Sequence, residues 1–379
     1  MKIAYILCNA MRGGGVERII IDKANALAEI PDMDVYLVSA QSDAHDMPVF
    51  PISDKVHTIR MGLGFEPGVS PFRRPITFAI RWNRWRISMR KAIKKFLHEN
   101  NPDIMLSTSY DANVLPLPKS ECCLILESHS SRHDTEATAL IPRFRHMQTS
   151  RMARKADVVA VLNEGEARMW PEAKRCEIIS NFTNITPIAP YNPDIKRAMA
   201  MGRLDSQKGF DLLVEAWREV AQSHPDWKLD IYGKGAEKDM LQGMIDRYNL
   251  SDKVTLCGTT DNPAREFANH SVFVLSSRYE GQPLVLLEAA SCGMACVAFD
   301  CPYGPSDIIE NNYNGLLVPY ASLNDAQRVN MLAKSICHII EHRDMRLRVS
   351  QNTTDKISSF CRDAIIGKWI NLFREIAKK

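Results

Sequence analysis

Short apolar runs alternate with amphipathic, helix-period stretches from one end of this 379-residue chain to the other. In the first half the strand-like runs are Lys2–Cys8, Asp34–Ala40, Val56–Met61, Ile104–Ser109, Cys122–Glu127, Val158–Asn163 and Glu177–Asn181. In the second they are Arg197–Met201, Lys228–Tyr232, Lys253–Cys257, Ser271–Ser276, Ala295–Phe299 and Gly315–Val318. Runs that stay apolar without alternating suit strands covered on both faces, and that requires parallel sheets with helices on each side. Helical patterns such as Gly209–Ser223, Ala236–Tyr248 and Ala326–Glu341 fill the gaps. The pattern predicts an α/β chain with two doubly wound parallel sheets. The length also exceeds one typical core, so two domains are expected. Asn184–Pro193 carries three prolines and no periodicity, which marks a linker, with domains at 1–190 and 191–359. After a turn-like Asn352–Ser359 the chain ends in an amphipathic helix, Asp363–Ala377.

Bulk properties exclude several classes. A net charge of +3 is too small to argue nucleic-acid binding, and no apolar run is long enough to span a bilayer. The N-terminal run lacks the length and cleavage region of a signal peptide. The ten cysteines show no C-x-x-C spacing, so reduced, mostly buried thiols of a cytosolic protein are expected and a disulfide framework is not.

Chemistry concentrates in the segment Ser276–Gly293. Glu280 follows an apolar strand in a loop with Gly281 and Gln282. Pro283 is placed to open a helix, and the apolar helix Leu284–Cys292 should be buried with Glu288 inside it. A buried ionised carboxylate needs strong hydrogen bonds, and a helix N-terminus at a strand's carboxyl end receives anions. Glu280 and Glu288 therefore read as ligand-holding carboxylates beside a phosphate site. Arg203 and Lys208, in the turn Gly202–Gly209 after another strand, suit a diphosphate; two solvated loop cations are the plain alternative. The glycine turns at Gly233 and Gly258 should open on the same sheet edge, although each alone is equally an ordinary turn.

In the first half, Gly13, Gly14 and Gly15 stand at a strand-to-helix turn where backbone N–H groups can meet anionic oxygens. The turn is not G-x-G-x-x-G, which disfavours dinucleotide binding. His129 ends a strand and could offer a proton or hydrogen bond to a sugar; a structural histidine is the plain alternative. Between Glu66 and Glu99 there is no acidic residue, and Arg73, Arg74, Arg81, Arg84, Arg86, Arg90, Lys91, Lys94 and Lys95 are interleaved with Phe72, Phe78, Trp82, Trp85 and Phe96. Such a helix at 72–96 can lie on an anionic membrane surface, or pack its aromatic residues on the domain and keep its charges in water.

With these residues in place, the chain resembles the retaining GT-B glycosyltransferases of family 4 over essentially its whole length. The E-x7-E element is Glu280 to Glu288 and the G-R-L-x3-K-G element is Gly202 to Gly209. The resemblance implies that Arg203 and Lys208 bind the donor diphosphate, that Glu288 holds the ribose and that Glu280 contacts the transferred sugar. It implies that backbone at Gly281, Gln282 and Leu284 meets sugar or phosphate, with Gly14 and Gly15 at the donor–acceptor junction. Gly233 and Gly258 would flank the nucleotide. His129 matches the family's cleft histidine, although the aspartate usual after it is Ser130 here. The family needs no bound metal or other cofactor, and its last helix (360–379 here) returns to the first domain. The segment Gly304–Pro319 resembles that of bacterial transferases acting on surface polysaccharide or lipid-linked acceptors with UDP-sugar donors. The expectation is a cytoplasmic, peripherally membrane-associated transferase of a hexose or N-acetylhexosamine. A UDP-sugar epimerase of the same architecture and a non-catalytic sugar-nucleotide-binding protein are the alternatives.

Overall fold

The computed structural model describes residues 1–65, 74–118, 122–129 and 140–377, without the side chains of 140–146 and 354. Glu66, Phe72, Arg73 and Ser130 lie outside the described residues.

The chain forms two compact units, Met1–Ser180 with Arg362–Lys379, and Asn181–Cys361. The first holds a seven-stranded parallel sheet: β1 (Lys2–Leu7), β2 (Asp34–Ser39), β3 (His57–Arg60), β4 (Ile104–Thr108), β5 (Cys123–Glu127), β6 (Val158–Val161) and β7 (Cys176–Ile178), ordered β3-β2-β1-β4-β5-β6-β7. The second holds β8 (Arg197–Met201), β9 (Lys228–Tyr232), β10 (Val254–Gly258), β11 (Val272–Leu275), β12 (Ala295–Phe299) and β13 (Leu316–Val318), all parallel and ordered β10-β9-β8-β11-β12-β13. The apolar runs are buried on both faces. In β11, Val272 and Val274 pack into one layer of the second unit while Phe273 and Leu275 pack into the other. In each sheet the order of strand addition reverses once, between β1 and β4 and between β8 and β11, and an α/β sheet receives ligands outside the carboxyl ends of the strands at that point.

Two expectations shift. The units divide at 180/181 rather than 190/191, because the proline-rich stretch is bound into the second unit. Tyr191 Oη donates to the Ser271 carbonyl at 2.8 Å, and Arg346 Nη2 donates to the Pro193 carbonyl at 3.0 Å. The turn-like Asn352–Ser359 is instead the end of a helix, Arg343–Ile357, followed by a 3-10 turn. That helix is polar in composition and is held by buried Arg346, which also donates to the carbonyls of Ile339 and Ile340 at the end of the preceding helix. The last helix, Arg362–Ile376, belongs to the first unit and buries Ile365, Trp369 and Phe373 there.

The basic helix, Pro75–Asn100, turns Trp85, Met89, Ile93 and Phe96 into the core of the first unit. Phe78, Trp82 and Trp85 cluster with Phe65, and Trp85 Nε1 donates to the Leu63 carbonyl at 2.6 Å. Phe78, Trp82, Trp85 and Phe96 thus pack within the first unit. Among the described residues no helix is long and apolar enough to cross a membrane. None of the ten cysteines forms a disulfide; Cys257 and Cys361 are exposed, the others buried or half-buried.

Candidate functional site

The carboxyl edge of the second sheet gathers the loops after β8, β9, β10, β11 and β12. After β8 the chain makes a 3-10 turn, Ser206–Lys208, and reverses at Gly209, whose φ is +61°. A Cβ there would lie 2.2 Å from the Ser276 carbonyl oxygen, so only glycine fits both the angle and the space. The reversal folds Lys208 back over Gly202 and aims it at the neighbouring strand end. Its Nζ meets Glu280 Oε1 at 2.6 Å, and Ser277 Oγ donates to the same oxygen at 2.6 Å. The Glu280 backbone is fixed on both sides, its N–H donating to Pro302 at 3.0 Å and its carbonyl accepting from Tyr303 at 3.1 Å. Lys208 and Glu280 are 14% and 7% exposed in their side chains. An ammonium has three donors, so donors remain on Lys208 beyond the bond to Glu280.

Arg203 stands apart from this pair. Its side chain is 70% exposed and bonds Gln207 at 2.9 Å and Asp205 at 3.1 Å. Gln207 stitches the loops together, donating to the Tyr279 carbonyl at 3.2 Å and accepting from the Arg278 N–H at 2.8 Å. Arg278 forks onto Asp211 with two bonds of 2.7 Å, which raises its already high pKa. Gly233 approaches so closely that a Cβ would sit 1.8 Å from the Gly202 oxygen, while its N–H donates to the Gly258 carbonyl at 2.7 Å. Gly233 and Gly258 therefore join the β8, β9 and β10 loops into one floor.

Glu288 is 5% exposed, in the helix Leu284–Ser291. Burial, with Glu288 alongside, pushes the Cys292 thiol up to about 11. Pro283 is the N-cap and not the first helical residue; its carbonyl accepts from Leu286 and Leu287 at 3.0 and 3.1 Å. No side chain caps this helix, and its first N–H groups, at Leu284 and Val285, have no acceptor within the helix. Gly281 sits against Gly304, whose φ is +93°; a Cβ on Gly304 would fall 2.5 Å from the Gly281 oxygen. The side chain of Gln282 is buried; its Oε1 accepts the Asn181 N–H at 2.6 Å, and its Nε2 has no partner among the described residues.

In the first unit, Gly14 is the N-cap and Gly15 the first residue of the helix Gly15–Ala28, again with no side-chain cap. Neither glycine has a positive φ; a Cβ on Gly14 would meet only the movable end of Glu17. Openness of the backbone, not special torsion, is what these glycines provide.

The His129 side chain is 6% exposed, with Nε2 at 3.0 Å from Glu127 Oε2 and, among the described residues, no partner for Nδ1. The same Glu127 oxygen accepts from Lys23, which is 3% exposed and lies 4.1 Å over the Trp369 ring. Burial pushes the Glu127 carboxyl up, but Lys23 and then His129 outweigh it and lower the pKa to about 2. Neither Lys23 nor Glu127 stood out as functional from the sequence. The available signal was a lysine among Ile19, Ile20, Ala24 and Leu27 on the apolar stripe of its helix.

Two parallel-sheet units with loops converging at the switch points define a GT-B α/β architecture. Residues 181–356, which lie within the second unit, match the family described as glycosyl transferases group 1. The chain is 24% identical over 375 residues to an uncharacterized glycosyltransferase of Haemophilus influenzae, covering 97% of this chain and 98% of that one. It is 33% identical over 196 residues to the poly(ribitol-phosphate) alpha-N-acetylglucosaminyltransferase of Staphylococcus aureus, covering 52% of this chain and 38% of that one. A solved S. aureus TarM variant, in complex with fondaparinux, alpha-GlcNAc-glycerol and UDP, superposes with a TM-score of 0.64 at 26% identity, over 74% of this chain and 58% of that one.

Proposed function

We propose that the protein is a retaining glycosyltransferase that moves a hexose or N-acetylhexosamine from a UDP-sugar to a polysaccharide or lipid-linked oligosaccharide acceptor. The observation that carries this reading is the Lys208–Glu280 pair, at 2.6 Å, at the switch point of the second sheet. In the proposed complex Lys208 gives its remaining donors to the diphosphate, and Arg203, free to swing at the surface, closes on it. The open N-terminus of the helix Leu284–Ser291 adds partial positive charge. Glu288 holds the ribose, and Glu280 accepts from a sugar hydroxyl. The bond from the anomeric carbon to the phosphate oxygen breaks, and a bond to the acceptor oxygen forms on the same face. The acceptor's hydroxyl proton passes to the departing diphosphate. His129, with its Nε2 tied to Glu127, hydrogen-bonds the sugar or acceptor. The charge is carried by Lys208, Arg203 and the helix end, so no metal takes part in the scheme.

UDP and an α-linked GlcNAc product in the TarM complex support the donor and the retention. The S. aureus relative supports a role in surface-glycan synthesis. A cytoplasmic position on the membrane face is supported by the outer side of the basic helix, where Ile76, Ile80 and Ile87 are 76%, 50% and 49% exposed beside Arg84 and Lys91. The test of the chemistry is incubation with a panel of UDP-sugars and glycan acceptors, with the anomeric configuration of the product read by NMR and EDTA added in parallel. Product of retained configuration, formed equally with EDTA, is expected. Inverted product, or conversion of a UDP-sugar to its epimer without acceptor, would overturn the reading.

A further inference from the structure

Four cations of the first unit have no part in that scheme. Arg86 and Arg90 are one turn apart on one flank of the basic helix, and Arg151 and Lys155 are one turn apart near the end of the helix Leu140–Lys155. All four line a single pocket of about 290 Å³, whose lining also includes the apolar side chains of Leu115, Pro116 and Met152. Among the described residues no acidic residue lines it, and none of the four side chains has a hydrogen bond or ion pair. Lys95, further along the basic helix, is paired with Glu99. One wall is held in place by Asn113 Nδ2, which donates to Thr149 Oγ1 at 2.6 Å.

Like charges at i and i+4 repel, and two such rows around one pocket repel further. A protein that gains nothing from this arrangement has many ways to relieve it with a single carboxylate. We propose that the pocket binds a diphosphate group. Arginine forks match pairs of phosphate oxygens, and a diphosphate offers several negative charges in a group small enough for this volume. A lone carboxylate would leave most of the positive charge uncompensated. Leu115, Pro116 and Met152 offer apolar contact to whatever the diphosphate is attached to. The ligand has two possible sources, the headgroup of a lipid-linked acceptor or a soluble diphosphate. The first of these rests on the transferase reading above; the anion preference of the pocket does not.

The test is isothermal titration of the full-length protein with inorganic pyrophosphate and, separately, farnesyl diphosphate. Saturating UDP is present throughout to occupy the site at Lys208 and Glu280. Binding of at least one ligand is expected. Each double variant, Arg86→Gln with Arg90→Gln and Arg151→Gln with Lys155→Gln, should weaken it at least tenfold, with UDP affinity within twofold of the parent. The melting temperature should not fall, because these side chains are exposed or half-buried and the substitutions relieve like-charge repulsion. Tighter binding of farnesyl diphosphate assigns the site to a lipid-linked ligand, and equal affinity assigns it to a soluble one; both uphold a diphosphate site. Absence of binding by either ligand, or binding untouched in both double variants, would overturn it. If UDP itself does not bind while pyrophosphate binding is lost in the variants, the donor reading fails and the pocket stands.

Discussion

Single charged side chains decide most of what this protein can do, and their environments differ. Lys208 and Glu280 neutralise each other at the rim of the second sheet, where a ligand phosphate can still reach the ammonium. Lys208→Ala should lower transfer by about 10²–10³-fold, the usual cost of removing one positioned donor to a developing anion. Glu280→Gln keeps the shape and a hydrogen-bonding oxygen, so it should reduce turnover while leaving the melting temperature close to the parent value. Lys23 and Glu127 are buried, and there the loss of one partner strands a charge. Lys23→Met should cost about 3–5 kcal/mol of stability, measured by denaturant unfolding. Adding Glu127→Gln should recover part of that loss. The pH dependence follows from the sign of the shift. Glu127 sits at about 2, below its ordinary 4.5, so its stabilising contribution is present above about 4.5 and is lost as pH falls toward 2. The stability gap between the parent and Glu127→Gln should therefore narrow over that interval; a gap that widens as pH falls would contradict the assignment.

At the scale of elements, the basic helix divides its labour by face. Its aromatic side faces the core, where Trp85 is buried and hydrogen-bonded to Leu63. Trp85→Ala should cost about 3–5 kcal/mol of stability without a specific effect on vesicle binding. Ile76→Asn with Ile80→Asn should do the opposite, lowering affinity for anionic vesicles while the melting temperature holds; equal vesicle binding by this variant would reject the membrane contact. In the second unit Gly209→Ala meets both a positive φ and the Ser276 oxygen, so it should lower the melting temperature and displace Lys208. The strands were legible in the sequence because residues covered on both faces must all be apolar, and the Glu280–Glu288 and Gly202–Gly209 elements because loop chemistry is written locally. What stayed hidden depends on distant partners. The inward turn of Trp82 and Trp85 is set by Phe65, and the pairing of Lys23 by Glu127 and Trp369. The helix Arg343–Ile357 was hidden too, since its anchoring contacts are Arg346 bonds to carbonyls elsewhere in the chain.

For the whole molecule, chain order and compact unit do not coincide. The last helix returns to the unit that holds the N-terminus, and its Trp369 covers Lys23. The first unit therefore depends on the final segment of the chain for its core, while residues 181–361 contain the segment that matches the group 1 glycosyl transferases and have their own two apolar layers. The central claim, that the edge of the second sheet is a UDP-sugar site built on Lys208 and Glu280, is most directly tested by titrating UDP into the full-length protein and into Lys208→Ala. Bound UDP at a hundred times its dissociation constant should stabilise the parent by about 2.7 kcal/mol. The account predicts saturable binding to the parent that is weakened at least tenfold in the variant, with the variant still folded without ligand. No binding to the parent, or equal affinity in both proteins, would contradict it.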